Sequence, residues 1–238
     1  MKIIPNWSDS IFYAMILPMY KYIFFDLDGT LTDPGIGITN AVMNALTKFN
    51  IDLPPREELY KFIGPPLRES FSKYYGLSAE EAEMAVVYYR EYYSVTGLLE
   101  NKVYPGIPEL LGKLKSEEYK IVLATSKPDK FSIKILEYFD LIKFFDFTAC
   151  ATFDATRSSK ASVIRYALDE LKIEDTSEVL MVGDRFHDVE GARECGIDTI
   201  AVTYGYGDRE EHLADGARFI ADSVGEIYDI ITKSNTEL

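Results

Sequence analysis

The chain has 238 residues, 47% of them hydrophobic, with 17 tyrosines and 14 phenylalanines. That excludes a disordered chain and is enough for a sizeable core in one or two domains. With 39 acidic and 25 basic residues the net charge is −14, which disfavours binding a nucleic-acid polymer or an anionic membrane surface, since both depend on Lys and Arg. Cys150 and Cys195 stand in unrelated contexts and build neither a disulfide framework nor a zinc pattern, which fits a reducing, cytoplasmic compartment.

At the N-terminus "IFYAMIL" (Ile11 to Leu17) is apolar but is followed by Pro18. It is too short to span a bilayer and lacks the small-residue cleavage site of a signal peptide. Residues 1–18 therefore read as an extension outside the fold. "YKYIFFD" follows, a continuous β-favouring run that predicts a strand buried on both faces. It ends in Asp26 and Asp28, followed by Gly29 and Thr30.

From Pro34 to Val103 no convincing strand is found. "GITNAVMNALTKFNI", "REELYKFIG", "PPLRESFSKYYG" and "SAEEAEMAVVYYREYYSVTG" each read as helix. Ser78 and Glu81 have capping-box spacing, and Gly64, Gly76 and Gly97 close three of these segments. Beyond them strands are predicted at Tyr119–Ser126, Phe144–Ala151, Ser177–Asp184 and Gly196–Gly205. Helices are predicted over 107–117, 128–139, 159–172, 186–195 and 223–233 from apolar residues at three-to-four spacing. The expectation is an α/β protein, with a Rossmann-like three-layer core and a parallel sheet over 19–33 and 104–238. A small helical-bundle cap over 34–103 is inserted after the first strand.

Ligands of open parallel sheets bind at the carboxyl ends of strands. The residues placed there are Asp26, Asp28, Gly29 and Thr30; Thr125, Ser126 and Lys127; and Asp184 and Arg185, with Asp188 close behind and Lys160 opening a helix. Oxygen-only ligands suit Mg²⁺, while hydroxyls and lysine suit phosphate oxygens. A phosphate dianion about 4 Å from a carboxylate meets about 8 kcal/mol of repulsion at an effective dielectric of about 20. A divalent cation and one lysine offset that, so one carboxylate can serve as nucleophile and the other as proton carrier. A calcium loop does not fit: counted from Asp26 the glycine is fourth, and the twelfth residue is Gly37 instead of an acid.

"DLDGT", "LATSKP", "RSSKASVIRYAL" and "GDRFHD" resemble the four signature motifs of the haloacid dehalogenase-like hydrolases, over Tyr20 to about Ile231. The resemblance implies Asp26 as the nucleophile forming an aspartyl-phosphate, and Asp28 as general acid and base that also gives its backbone carbonyl to Mg²⁺. It further implies Thr125, with Ser126 beside it, on the phosphoryl group, Lys160 as the charge-balancing lysine, Asp184 as a metal ligand and Asp188 on a metal-bound water. Gly29 and Thr30 join the phosphate-binding set, and the insert is the family's cap. Asp28 argues for phosphate esters over dehalogenation, because a halide leaving group needs no proton. "KFIGPPLRESF" resembles the cap loop of the phosphoglycolate phosphatase group, and the longer set is most similar to the branch labelled 5′-nucleotidase. A phosphomutase shares core and cap and is the less favoured alternative. The expected partner is a small phosphorylated substrate, with the chain a monomer or homodimer.

Arg68 follows Pro66-Leu67 and is a candidate for a substrate anion or a solvated helix-start residue. Arg157 is a candidate to assist Lys160 or simply covers its loop. Tyr88, Tyr89, Tyr92 and Tyr93 form two stripes at helical spacing; they read as packing inside the cap, with a nucleobase-stacking surface as the alternative. His187 lies inside the fourth motif, but Asp28 already fills the acid role.

Overall fold

Tyr22–Phe25 forms β1, three of its four residues wholly buried. The structure, a computed structural model, describes residues 20–154 and 156–236. The expected 1–18 extension lies outside the described residues. After β1, the two-residue β2 (Thr32–Asp33) precedes α1 (Gly35–Lys48), α2 (Leu67–Tyr75) and α3 (Ala79–Tyr92). β3 (Lys102–Val103) leads to α4 (Ile107–Ser116), β4 (Lys120–Pro128), α5 (Asp129–Tyr138) and β5 (Phe147–Ala151). Then come α6 (Lys160–Leu171), β6 (Val179–Gly183), α7 (Phe186–Glu194), β7 (Asp198–Val202), α8 (Arg209–Ala214), β8 (Phe219–Ala221) and α9 (Val224–Thr236).

Six of these strands make one parallel sheet in the order β5-β4-β1-β6-β7-β8. Successive β1 side chains point to opposite faces. Ile23 and Phe25 join the cluster containing α4, α5 and α9 residues, while Phe24 packs with Val163, Ile164 and Ala192 from α6 and α7. Both faces are therefore covered, as the unbroken apolar run requires. Truncating Phe24 to Ala would cost about 3–5 kcal/mol.

Register brings the motifs together. Phe25 lies opposite Leu123 of β4 and Val182 of β6, so Asp26, Thr125 and Asp184 leave the same sheet edge. The Asp26 N–H donates to the Val182 carbonyl at 2.9 Å, which pins the carboxylate at the strand end.

The inserted helices pack mainly on each other, α1 and α2 against α3. Ser78 and Glu81 form the predicted capping box, and Gly76 ends α2 with φ of 67°. Three expectations need correction. "REELYKF" is a 3₁₀ turn; the eight residues between Pro55 and Gly64 are too few to establish helical periodicity. Tyr93–Gly97 continues α3 as a π turn. Lys102–Val103, inside the segment read as strandless, pairs antiparallel with Thr32–Asp33; two residues carry no sequence pattern. The cap also rests on the core, through Tyr60 on Tyr206, Tyr93 on Phe131 and the Arg90 guanidinium over Phe153. No described helix is long and apolar enough to cross a membrane.

Candidate active site

Asp26, Asp184 and Asp188 come together with ligand oxygens within 4.8 Å of one another, and all three residues are buried. Lys160 opens α6 and reaches into them. Its Nζ lies 2.7 Å from Asp26 Oδ1 and 2.8 Å from Asp188 Oδ1, and donates to the Ala124 carbonyl at 2.9 Å. An ammonium has three hydrogens, so each has a partner. Burial works against the Lys160 charge, but Asp188 and Asp26 outweigh it and raise its pKa.

One ammonium against three carboxylates leaves two negative charges uncompensated. Asp184 shows the strain most clearly. It is fully buried; its Oδ2 accepts the Tyr206 N–H at 2.8 Å, while its Oδ1 has no partner. Burial, then the Asp188 and Asp26 charges, push its pKa far above the ordinary carboxylate value. Burial likewise raises Asp188, against the pull of Lys160. Asp188 Oδ2 accepts the Arg185 N–H at 3.0 Å, which fixes its rotamer at the start of α7. An oxygen-only set with surplus negative charge and an orphaned buried oxygen fits a hard divalent cation such as Mg²⁺.

Asp28 stands two residues beyond Asp26 on a turn. Gly29 makes the turn possible: its φ is +84°, and a Cβ there would lie 2.0 Å from Asp184 Oδ2. The Gly29 N–H donates to Thr32 O and the Thr30 N–H to Leu27 O, so these donors serve the turn. The buried Thr30 hydroxyl has no partner. Burial raises the Asp28 pKa in spite of the Lys127 ammonium 2.5 Å away. Thr125 is buried and accepts the Lys127 N–H at 3.3 Å, and Ser126 beside it is half-buried.

A family model described as "Haloacid dehalogenase-like hydrolase" matches residues 23–202. The chain belongs to that family. It is 44% identical over 192 residues to a protein named 5'-nucleotidase from Pseudomonas aeruginosa, covering 81% of this chain and 86% of that one. A protein named tyrosine-protein kinase PtkA from Mycobacterium tuberculosis is 39% identical over 187 residues, covering 79% of this chain but 63% of that longer protein. Among solved structures, "a predicted phosphatase from Clostridium acetobutylicum" superposes with a TM-score of 0.87 at 45% identity, covering 90% of this chain and 99% of that one.

In this haloacid dehalogenase-like hydrolase not every candidate joins the cluster. Arg68 pairs with Glu83 on the exposed surface of the cap. Arg157 lies flat on the Tyr166 ring at 3.7 Å and donates to the Cys150 carbonyl. His187 stacks on Phe186 at 3.7 Å, and burial lowers its pKa. The tyrosine stripes divide. Tyr88 and Tyr92 serve the cap interior, beside Phe49, Asn44, Asn40 and Glu100. Tyr89 and Tyr93 stack on each other at 5.2 Å, and Lys127 sits 4.9 Å from the Tyr93 ring centre. The Tyr93 hydroxyl is buried and unpartnered. Burial, then Asp28, keep that phenol protonated.

Two neighbours of the cluster were given no role by the sequence reading. Lys127 was visible as the residue after Ser126, but its bond to Asp28 spans 99 residues. Tyr206 was visible only as part of "YGYG", a glycine alternation that marks close backbone approach.

Proposed function

We propose that this phosphatase is a Mg²⁺-dependent phosphomonoesterase working through a phosphoaspartate on Asp26, with nucleoside 5′-monophosphates as its substrates. The observation that carries the reading is the buried Asp26–Asp184–Asp188 cluster around Lys160, with Asp184 Oδ1 unpartnered. Asp26, the Asp28 carbonyl, Asp184 and, through water, Asp188 would hold the cation. Bound there, Mg²⁺ supplies positive charge that neutralises the anionic substrate.

Asp26 attacks phosphorus as the ester P–O bond breaks. Asp28 delivers its proton to the departing oxygen, a role that its raised pKa suits. Asp28 then takes a proton from water as that water attacks the phosphoaspartate, releasing phosphate and restoring the Asp26 carboxylate. Gly29, Thr30, Thr125 and Ser126 orient the phosphoryl oxygens. Lys160 holds Asp26 in place and balances the charge that builds on phosphorus. The cap excludes bulk water.

One observation favours a second reading. Lys127 bonds Asp28 and lies over the ring of Tyr93, whose buried hydroxyl has no partner among the described residues. Such donors fit a small ester whose leaving group carries an anionic oxygen, as phosphoglycolate does.

A phosphate-release screen over nucleoside monophosphates, phosphoglycolate and hexose phosphates, ranked by kcat/KM, tests both. Nucleoside monophosphates leading the ranking supports the first reading, and phosphoglycolate leading supports the second. A hexose phosphate isomer formed without free phosphate would overturn both in favour of a mutase.

A further inference from the structure

The loop after β7 touches the carboxylate cluster, the β2–α1 connection and the cap through one residue. The Tyr206 N–H donates to Asp184 Oδ2 at 2.8 Å. Its ring packs on Tyr60 of the cap, with centroids 5.4 Å apart. Its hydroxyl donates to Asp33 Oδ1 on β2, and the same oxygen accepts the Gly35 N–H at 3.0 Å, where α1 begins. Its carbonyl accepts from Arg185 Nη1 at 3.3 Å, and Gly64 of the cap passes over the Arg185 stem, where a Cβ would lie 3.2 Å from Cγ.

The flanking glycines allow this approach. A Cβ at Gly207 would lie 1.8 Å from the Asp184 carbonyl oxygen, and one at Gly205 would lie 2.5 Å from Asp184 Cβ. The backbone is therefore pressed against the carboxylate, while the side chain faces elements that belong to the cap and its connection. Tyr204 supports the same loop by donating to the Thr30 carbonyl at 2.9 Å.

We propose that Tyr206 is a positioning residue that aligns Asp184 for the cation when the cap is seated, so that cap contact and Mg²⁺ affinity are linked. This rests on the proposed Mg²⁺ role of Asp184. Linkage is reciprocal: loosening the cap end of Tyr206 weakens the metal end, although no metal ligand changes. Residues that orient a ligand from behind typically carry about 10–100-fold in metal affinity or activity.

The test uses the full chain, with Mg²⁺ alone as probe in thermal melts and p-nitrophenyl phosphate as substrate. Tyr206→Phe keeps the ring and the N–H but loses the Asp33 bond; Tyr60→Ala removes the cap's half of the ring contact. Both are expected to need about tenfold more Mg²⁺ for the half-maximal rise in melting temperature, and to lose kcat with KM for the ester little changed. A Mg²⁺ midpoint equal to wild type in both variants overturns the proposal, whatever happens to the melting temperature without metal. If Tyr206→Phe does not fold, Tyr60→Ala decides alone. A wild-type chain that hydrolyses the ester with no Mg²⁺ response overturns the metal reading together with this one. A wild type that responds to Mg²⁺, with variants whose Mg²⁺ midpoint is unshifted, overturns only the role of Tyr206.

Discussion

Two lysines at one sheet edge hold two carboxylate groups in opposite ways. Lys160 spends all three hydrogens inside the core, on Asp26, Asp188 and Ala124. Lys127 binds Asp28 but lies under Tyr93, a side chain that the cap supplies. The first arrangement uses core residues alone; the second adds to a core ion pair a ring that the cap supplies. Under the proposed mechanism the phosphoryl end of the site would be built by the core, and the leaving-group end would be shared between core and cap.

The largest break falls on the core side. Asp26→Asn is expected to lower kcat on the order of 10⁶-fold, as deletion of other nucleophiles does, with circular dichroism unchanged. Lys160→Met is expected to lower kcat by about 10²–10³-fold. It is also expected to lower the melting temperature, because it strips the ammonium from the buried Asp26 and Asp188 carboxylates.

The metal tests the same cluster through stability. EDTA should stop turnover and Mg²⁺ restore it. Asp184 has a folded-state pKa far above the unfolded value, so the native state holds its proton more tightly than the unfolded chain. Metal-free stability must then fall as pH rises from the unfolded value of about 3.9 toward the raised folded value. Asp184→Asn makes that slope shallower, leaving the part due to Asp188 and Asp28, raises the metal-free melting temperature at neutral pH and abolishes the rise caused by Mg²⁺. Melts in EDTA across a pH series check the sign.

Smaller effects belong to the shared end. Lys127→Met is expected to lower kcat/KM about tenfold for esters with anionic leaving groups, the worth of one charge-assisted hydrogen bond, and less for neutral ones. Equal losses across both classes would place Lys127 on Asp28 alone. Arg68→Ala is expected to leave kcat/KM unchanged, since its partner is Glu83 on the exposed cap surface.

The same division explains what could be read in the sequence. The sheet and its catalytic edge were legible because each strand end carries its own local mark: an apolar run broken by Asp26, Thr125 or Asp184. Parallel register then aligns those ends without further information. The capping box at Ser78 was legible for the same local reason. What escaped depends on distance or brevity. Lys127 and Asp28 meet across 99 residues. β8 has three residues and α8 six, too few to show a period. Gly196–Gly205 was read as one strand, yet β7 ends at Val202; Tyr204 and Tyr206 suit a strand by propensity, but their contacts to Thr30 and Asp184 turn the chain away. Tertiary bonds override β preference there. For Arg68 the sequence left two readings open, and the structure shows a helix-start arginine paired with Glu83 on α3.

The ribbon of β2 and β3 makes Asp33 and Lys102 neighbours in space, although the insert between them sets them 69 positions apart in the sequence. Departure and return of the insert thus share a single doorway beside the end of β1. Such a layout suits exchange of one lid for another. A foreign segment whose ends approach as closely can be grafted at Asp33 and Lys102, giving new substrate preference to an unchanged phosphoryl-transfer engine.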